Sequence, residues 1–250
     1  MTTELLKNSM NKEEHDKGKR RKTADIVRMI FPLCMIPVVI AVGMSIPGLR
    51  GSSLVSVAVA VLSCLPMFIS FERGEHSARE MSALAVMTAI SVISRLIFAP
   101  VPGFKPVAAL VIITGISFGP EAGFITGSMT AVVSNVWFGQ GMWTPFQMFA
   151  WGITGFLSGI VLQKSRLRMN RLVLSAAGIF GGVLFSLLMD IWTTLSFDGG
   201  FSVKRYLFFI VESLPFTTLY AVSNVIFLLL MAPALCRKLE RIKQKYGIFL

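Results

Sequence analysis

The sequence alternates long apolar runs with short polar or basic blocks, and this alternation constrains the fold more than any other feature. Hydrophobic residues make up 54% of the chain and charged residues only 15%, whereas soluble domains carry about 25% charged residues. A bilayer core of about 30 Å needs about 20 helical residues, and most of the runs are that long. The sequence therefore predicts an all-α integral membrane protein without a large water-exposed domain.

Eight apolar runs are predicted to form membrane helices. They lie at about Ile26–Pro47, Ser53–Phe71, Met81–Phe98, Pro106–Phe118, Ala122–Phe138, Pro145–Leu162, Leu172–Leu195 and Tyr206–Leu235. The fourth run is too short to cross a hydrocarbon core of about 30 Å. We expect it to form a half helix or a helix buried inside the bundle.

The polar segment FERGEHSARE, residues 71–80, is the clearest internal boundary. The two runs before it are mostly Val, Ile, Ala and Leu, whereas the six after it are rich in Gly, aromatic and polar residues. We predict four parts: a basic disordered tail at 1–25, a two-helix membrane appendage at 26–71, a six-helix core at 72–235 and a basic tail at 236–250.

The net charge of +11 arises from short basic blocks beside the apolar runs. Eight crossings place the blocks before residue 30, at 164–171 and at 237–245 on one side of the membrane. The other side then carries only Arg50, Lys105, Lys204 and Arg205. Such an excess of Lys and Arg is typical of cytoplasmic loops. We therefore expect a multi-pass protein of the bacterial plasma membrane with both termini in the cytoplasm, and not a nucleic-acid-binding protein.

Residues 134–151, SNVWFGQGMWTPFQMFAW, combine amide and aromatic side chains at the junction of two apolar runs. The aromatic residues alone would fit an interfacial belt. Amide groups and a glycine-containing turn at membrane depth instead favour a site lined by protein. Aromatic walls with a few hydrogen-bonding groups suit a planar or amide-bearing ligand. The candidate ligand contacts are Asn135, Trp137, Phe138, Gln140, Trp143, Gln147 and Trp151.

Five further candidates lie in other parts of the core. Phe104 and Lys105 belong to a Pro-Gly-Phe-Lys-Pro loop, where the lysine either meets an anionic group of a ligand or snorkels from a helix start. Arg95 and Asp190 lie within spans, where ionisable residues are costly and are usually functional or paired, so a pair between them is one arrangement. Asn224 lies deep in the last run and needs a hydrogen-bond partner.

Small residues recur at helical spacing in two segments. Gly115, Gly119, Gly123 and Gly127 favour close packing of two short helices around a Gly-Pro turn over direct contact with a ligand. Ala85 and Ala89 form a small-residue pair on the first core helix. By spacing alone, this pair fits packing within the bundle as well as docking of another membrane protein.

The sequence contains no HExxH, GxSxG or Walker motif, and both histidines lie outside the predicted spans. The cysteines at positions 34, 64 and 236 have no metal-site spacing. We therefore expect a non-catalytic chain without a metal site or cofactor, and an ATP-driven process would require separate ATPase subunits.

Three segments are similar to those of one transporter family. They are FERGEHSARE with the alanine-bearing helix after it, APVPGFKPVAALVIITGISFGPEAGF, and SNVWFGQGMWTPFQMFAWG. Across about residues 72–235, the sequence resembles the S components of energy-coupling factor (ECF) transporters. The two additional N-terminal helices depart from a minimal S component.

The resemblance implies a mechanism. An S component captures a vitamin or related micronutrient at the extracellular side, docks on a membrane T component that carries two cytoplasmic ATPases, and topples to release the ligand inside. Small residues on the first core helix serve docking in this family, and Ala85 and Ala89 match that pattern. The subgroup resembles S components associated with cobalamin uptake, so cobalamin is the expected ligand. A queuosine precursor, riboflavin or another vitamin would use the same groups.

Three other classes of protein compete with this interpretation. A self-sufficient secondary permease would usually show inverted repeats with broken helices and an ion-coupling acid near the midplane, and the sequence shows no convincing repeat. An intramembrane enzyme lacks a recognisable catalytic pair. A purely structural membrane protein leaves the polar cluster at residues 134–151 unexplained.

Overall fold

The computed structural model of the chain describes residues 76–198 and 201–249, together with residues 68 and 72. These residues form six helices: α1 (Ala78–Ile97), α2 (Val107–Phe118), α3 (Pro120–Phe138), α4 (Thr144–Leu162), α5 (Arg171–Asp198) and α6 (Val203–Tyr246). The six-helix core is therefore confirmed over the described ranges, which contain no strand. The predicted appendage at 26–71 lies outside the described residues, apart from isolated positions.

Four of the described helices are long and apolar enough to cross a membrane. They are α1, α4, α5 and α6. The 12-residue helix α2 is short, and all of its residues are buried. The prediction that this run forms a helix inside the bundle is confirmed. α6 is 44 residues long and continues to Tyr246, so the basic residues predicted to lie in a tail from position 236 are part of a helix.

Local sequence signals explain where several helices begin and end. Ser77 caps α1 through a capping box: its hydroxyl accepts a hydrogen bond from the Glu80 N–H, and the Glu80 carboxylate accepts one from the Ser77 N–H. Gly119, with φ of 109°, makes the turn between α2 and α3, and Pro120 occupies the first position of α3. α6 ends at Gly247 in the left-handed conformation.

α2, α3 and α4 pack closely because glycines face one another across them. A β-carbon on Gly115 would lie 2.2 Å from the carbonyl oxygen of Gly155, and one on Gly123 would lie 2.6 Å from the same atom. A β-carbon on Gly127 would lie 2.6 Å from the Trp151 backbone. The predicted packing role of the glycines is therefore confirmed at these positions.

α5 and α6 form an antiparallel pair with small residues and hydroxyl groups between them. Gly178 and Gly182 allow the backbone of α6 to approach at Val225 and Ala221. This close approach brings the middle of α6 over the centre of the bundle, where Tyr220 and Asn224 reach the site described next.

Candidate ligand-binding site

A cavity of about 70 Å³ lies where α1 ends and where α2 and α4 begin. Side chains from five helices and the α1–α2 loop converge on it. The lining residues are Arg95, Lys105, Val107, Ala108, Gln147, Trp151, Gly182, Phe185, Tyr220 and Asn224. Five of the residues predicted from the sequence are among them: Arg95, Lys105, Gln147, Trp151 and Asn224.

Arg95 on α1 is held by two side chains of α3. Its Nη1 donates hydrogen bonds to Ser134 Oγ and, over 2.8 Å, to Asn135 Oδ1. Its guanidinium carbon lies 4.4 Å from the ring centre of Phe138 and 5.0 Å from that of Trp151. A guanidinium fixed by hydrogen bonds and aromatic faces loses little further entropy on binding a ligand group.

Asn135 is the centre of this hydrogen-bond network and is 1% exposed. Besides accepting from Arg95, its Nδ2 donates to Thr144 Oγ1 over 2.9 Å and to Gln147 Oε1 over 2.8 Å. These bonds use both hydrogens of the amide. Asn135 therefore positions Arg95 and Gln147 and does not itself line the cavity.

Gln140 extends the network away from the cavity. Its Oε1 accepts from Thr144 Oγ1 over 3.0 Å, and its Nε2 donates to the Val132 carbonyl over 2.8 Å. Gln140 is exposed and ties the α3–α4 loop to the end of α3. Its observed contacts are those of a loop anchor.

Aromatic rings form one wall of the cavity. Trp151 on α4 stacks on Phe185 of α5, with ring centres 5.5 Å apart and an interplanar angle of 15°. Tyr220 on α6 meets the same phenylalanine edge-on, with centres 5.4 Å apart. Sequence reasoning missed Phe185 and Tyr220, although a tyrosine deep in an apolar run is a signal that could have identified the second.

Lys105 provides a second positive charge. Its Nζ lies 5.4 Å from the ring centre of Phe138, which places Lys105 and Arg95 over the same ring. Burial, and then the nearby Arg95 charge, lowers the pKa of the Lys105 ammonium. The cavity-lining residues include no Asp or Glu, so the two cations face a cavity without a neutralising carboxylate.

Asn224 and Asp190 find partners between α5 and α6. Asn224 Nδ2 donates to the Gly178 carbonyl over 3.2 Å, which supplies the predicted partner. Asp190 accepts from Ser213 Oγ over 2.7 Å. Arg95 and Asp190 do not pair, because Arg95 is directed to α3 and Asp190 faces α6.

Three aromatic candidates do not line the cavity. Phe104 packs against Phe98 and Phe227, with ring centres 6.1 and 5.1 Å away. Trp137 is 78% exposed and Trp143 is 39% exposed. The two tryptophans lie on the outer surface at the same end of the bundle, near the end of α3 and the start of α4.

The chemistry of the site is that of binding. Two fixed cations, two amide groups and stacked rings can hold a planar ligand with electron-rich or anionic groups. No group of three or more His, Cys, Asp or Glu side chains in the described part of the chain is arranged to hold a metal ion. Ala85 and Ala89 are exposed on α1, far from the cavity.

Comparison with known proteins supports a transporter role. No curated protein and no solved structure matches the chain. The sequence model of a family described as "ECF-type riboflavin transporter, S component" matches residues 75–239, which include all six described helices except the last residues of α6. This chain belongs to the family of ECF-type riboflavin transporter S components, the substrate-capture subunits of ECF transporters.

Proposed function

We propose that this S component captures a vitamin with a planar ring system in the cavity between Arg95, Lys105 and Trp151, and that a flavin is its ligand. The observation that carries the proposal is the convergence of two cations and stacked aromatic rings on one cavity without a lining carboxylate. The family description, which names riboflavin, supports a flavin.

Each part of the cavity matches a feature of a flavin. The isoalloxazine ring is flat and stacks well on aromatic side chains. Its two carbonyl oxygens and ring nitrogens accept hydrogen bonds, which Arg95, Lys105 and the amide of Asn224 or Gln147 are able to donate. A phosphate on the ribityl chain would add a full negative charge near the two cations.

Entry of the ligand requires the loops at this end to move. The cavity measures about 70 Å³, whereas pockets for vitamin-sized ligands measure about 300–1,000 Å³. Lys105 lies on the α1–α2 loop, and Gly103 in that loop adopts a φ of 70°. We infer that this loop opens for the ligand and that Lys105 then closes over it.

Cobalamin is the second candidate. A corrin is far larger than the cavity, so it would have to sit on the outer surface. The exposed side chains of Trp137, Gln140 and Trp143 support this alternative, because aromatic and amide groups there could meet the amide rim of a corrin. The loop network that fixes Gln140 is compatible with either ligand.

Transport then requires partners. Membership of the family implies a T component and two ATPase subunits, which would hydrolyse ATP. We propose that Ala85 and Ala89, exposed on α1, contact the T component, and that the cavity faces the extracellular side. This orientation rests on the basic blocks at 164–171 and 237–245 lying at the opposite, cytoplasmic end.

The test is a ligand panel on the purified full chain. Riboflavin, FMN, cobalamin and a queuosine precursor are titrated while tryptophan fluorescence is recorded. Quenching by a flavin with submicromolar affinity, lost on Trp151→Ala, is the expected result. Saturable binding of cobalamin alone would replace the flavin, and binding of none of the four would overturn the assignment to this ligand class.

A further inference from the structure

A second and larger opening lies at the opposite end of the bundle, between α1 and α6. This α1/α6 groove has a volume of about 530 Å³. Its walls are almost entirely apolar, and the residues that matter most here are Ala83, Val86 and Ile90 of α1 and Leu235, Leu239 and Ile242 of α6. Val86 and Ile242 are 57% and 39% exposed, so the groove opens sideways to the surroundings of the bundle.

The length of the groove corresponds to one leaflet of a bilayer. It runs along α1 from Arg79 to Ile90, which at about 1.5 Å per residue is roughly 16 Å. Half of a hydrocarbon core of about 30 Å is about 15 Å. An apolar groove of this length beside two membrane helices accommodates one acyl chain of a phospholipid.

Positive charge is confined to one end of the groove. Arg79 lies in the first turn of α1, and Lys238 lies on the last part of α6, beside the basic block at 237–245. In the described part of the chain, neither side chain forms an ion pair with a carboxylate. The Arg79 guanidinium lies 5.9 Å from the ring centre of Tyr246, which places it at the end of the groove where the basic block lies.

We propose that the α1/α6 groove binds an anionic phospholipid of the leaflet on the side of the basic block. One acyl chain lies along Val86 and Leu239, and the phosphate sits between Arg79 and Lys238. A lipid phosphate near a membrane surface gains about 1 kcal/mol from each nearby Lys or Arg. The proposal does not depend on which vitamin the cavity binds.

The position of the groove favours a lipid over a protein helix as its occupant. Ala85 and Ala89, the small residues suited to close helix contact, are not among the groove-lining residues. They lie on the same helix but outside the groove. A bound lipid would therefore adjoin the proposed docking face, and the lipid composition of the membrane would influence docking.

Lipid retention by the full chain tests the proposal. The protein is placed in nanodiscs of phosphatidylglycerol and phosphatidylcholine in equal amounts, then released in mild detergent for native mass spectrometry. We expect one retained phosphatidylglycerol, with at least about fivefold preference over phosphatidylcholine, as two cations at about 1 kcal/mol each would give. Retention of neither lipid, or of both equally, would overturn the proposal.

Two variants localise the binding. Arg79→Gln with Lys238→Gln should abolish the preference between the lipids, whereas the matched pair Lys164→Gln with Arg166→Gln removes two exposed cations elsewhere and should leave it unchanged. Val86→Trp fills the groove with both charges intact and should abolish retention. Val133→Trp, on the exposed surface of α3, is its control. Equal retention by Val86→Trp and Val133→Trp would reject the groove as the lipid site.

Discussion

Arg95 and Asn135, forty positions apart in the sequence, are joined by a 2.8 Å hydrogen bond from the guanidinium to the side-chain carbonyl. The bond connects the end of α1 to the end of α3, and Asn135 passes the connection to α4 through Gln147. Three of the helices that form the cavity are thus held in register by one buried amide.

Replacement of Asn135 by Leu should weaken both ligand binding and stability. The variant leaves Arg95 and Gln147 without their buried partner, which costs about 1–3 kcal/mol per unsatisfied group. We expect a loss of affinity of about 10-fold or more and a lower unfolding temperature in detergent. Asn170→Leu, at an exposed position, is the control. Wild-type affinity in Asn135→Leu would contradict the positioning role.

Lys105 should contribute through its charge. Lys105→Met removes a group near the ligand that can form a charge-assisted hydrogen bond worth about 1.5–3 kcal/mol, so the dissociation constant should rise about 10- to 100-fold. Lys105→Arg should retain most of the affinity. Lys204→Met, an exposed cation of the α5–α6 connection, should have no effect. Titration of FMN and riboflavin measures these constants, and FMN should lose more than riboflavin.

Trp151 and Trp143 separate the cavity from the outer surface. Trp151 is buried and lines the cavity, whereas Trp143 is 39% exposed. Trp151→Ala removes a stacking partner and should raise the dissociation constant of a flavin by about 10-fold or more, while Trp143→Ala should change it little. A dominant effect of Trp143→Ala would instead indicate a ligand on the outer surface, as expected for cobalamin.

The contact between α3 and α4 should be intolerant of a single methyl group. A β-carbon on Gly155 would lie 2.5 Å from the carbonyl oxygen of Gly123. Because that atom belongs to a helix backbone, Gly155→Ala should destabilise the fold by about 1–3 kcal/mol. Gly181→Ala is the milder comparison, since its nearest neighbours are side-chain methyl groups at 3.1 and 3.2 Å. Thermal unfolding of the two variants should show the smaller loss for Gly181→Ala.

Docking should be separable from ligand capture. Ala89 is exposed on α1, so Ala89→Trp is compatible with folding but prevents close approach of another helix. We expect normal ligand affinity together with loss of co-purification with the T component and of transport in cells. Val133→Trp serves as the control for a bulky exposed residue. Normal co-purification of Ala89→Trp would remove α1 from the docking face.

The sequence was sufficient for the helices and for part of the site. Apolar runs predict the helices because a membrane imposes length and composition on them, and Arg95, Gln147 and Asn224 stood out because polar groups are rare in such runs. Phe185 carried no comparable signal, since phenylalanine is ordinary in a membrane helix. The partner of Arg95 depended on the rotation of α1 about its axis, which only the packed bundle fixes.

The complete burial of α2 has a consequence for how the protein is made. A helix of 12 residues is about 18 Å long and cannot bridge a hydrocarbon core of about 30 Å. It therefore cannot enter the bilayer as an independent segment. During biosynthesis α2 has to partition together with the segments that surround it, which makes the α2–α3–α4 unit, with its interlocking glycines, the smallest portion of this half of the bundle that the insertion machinery can deliver.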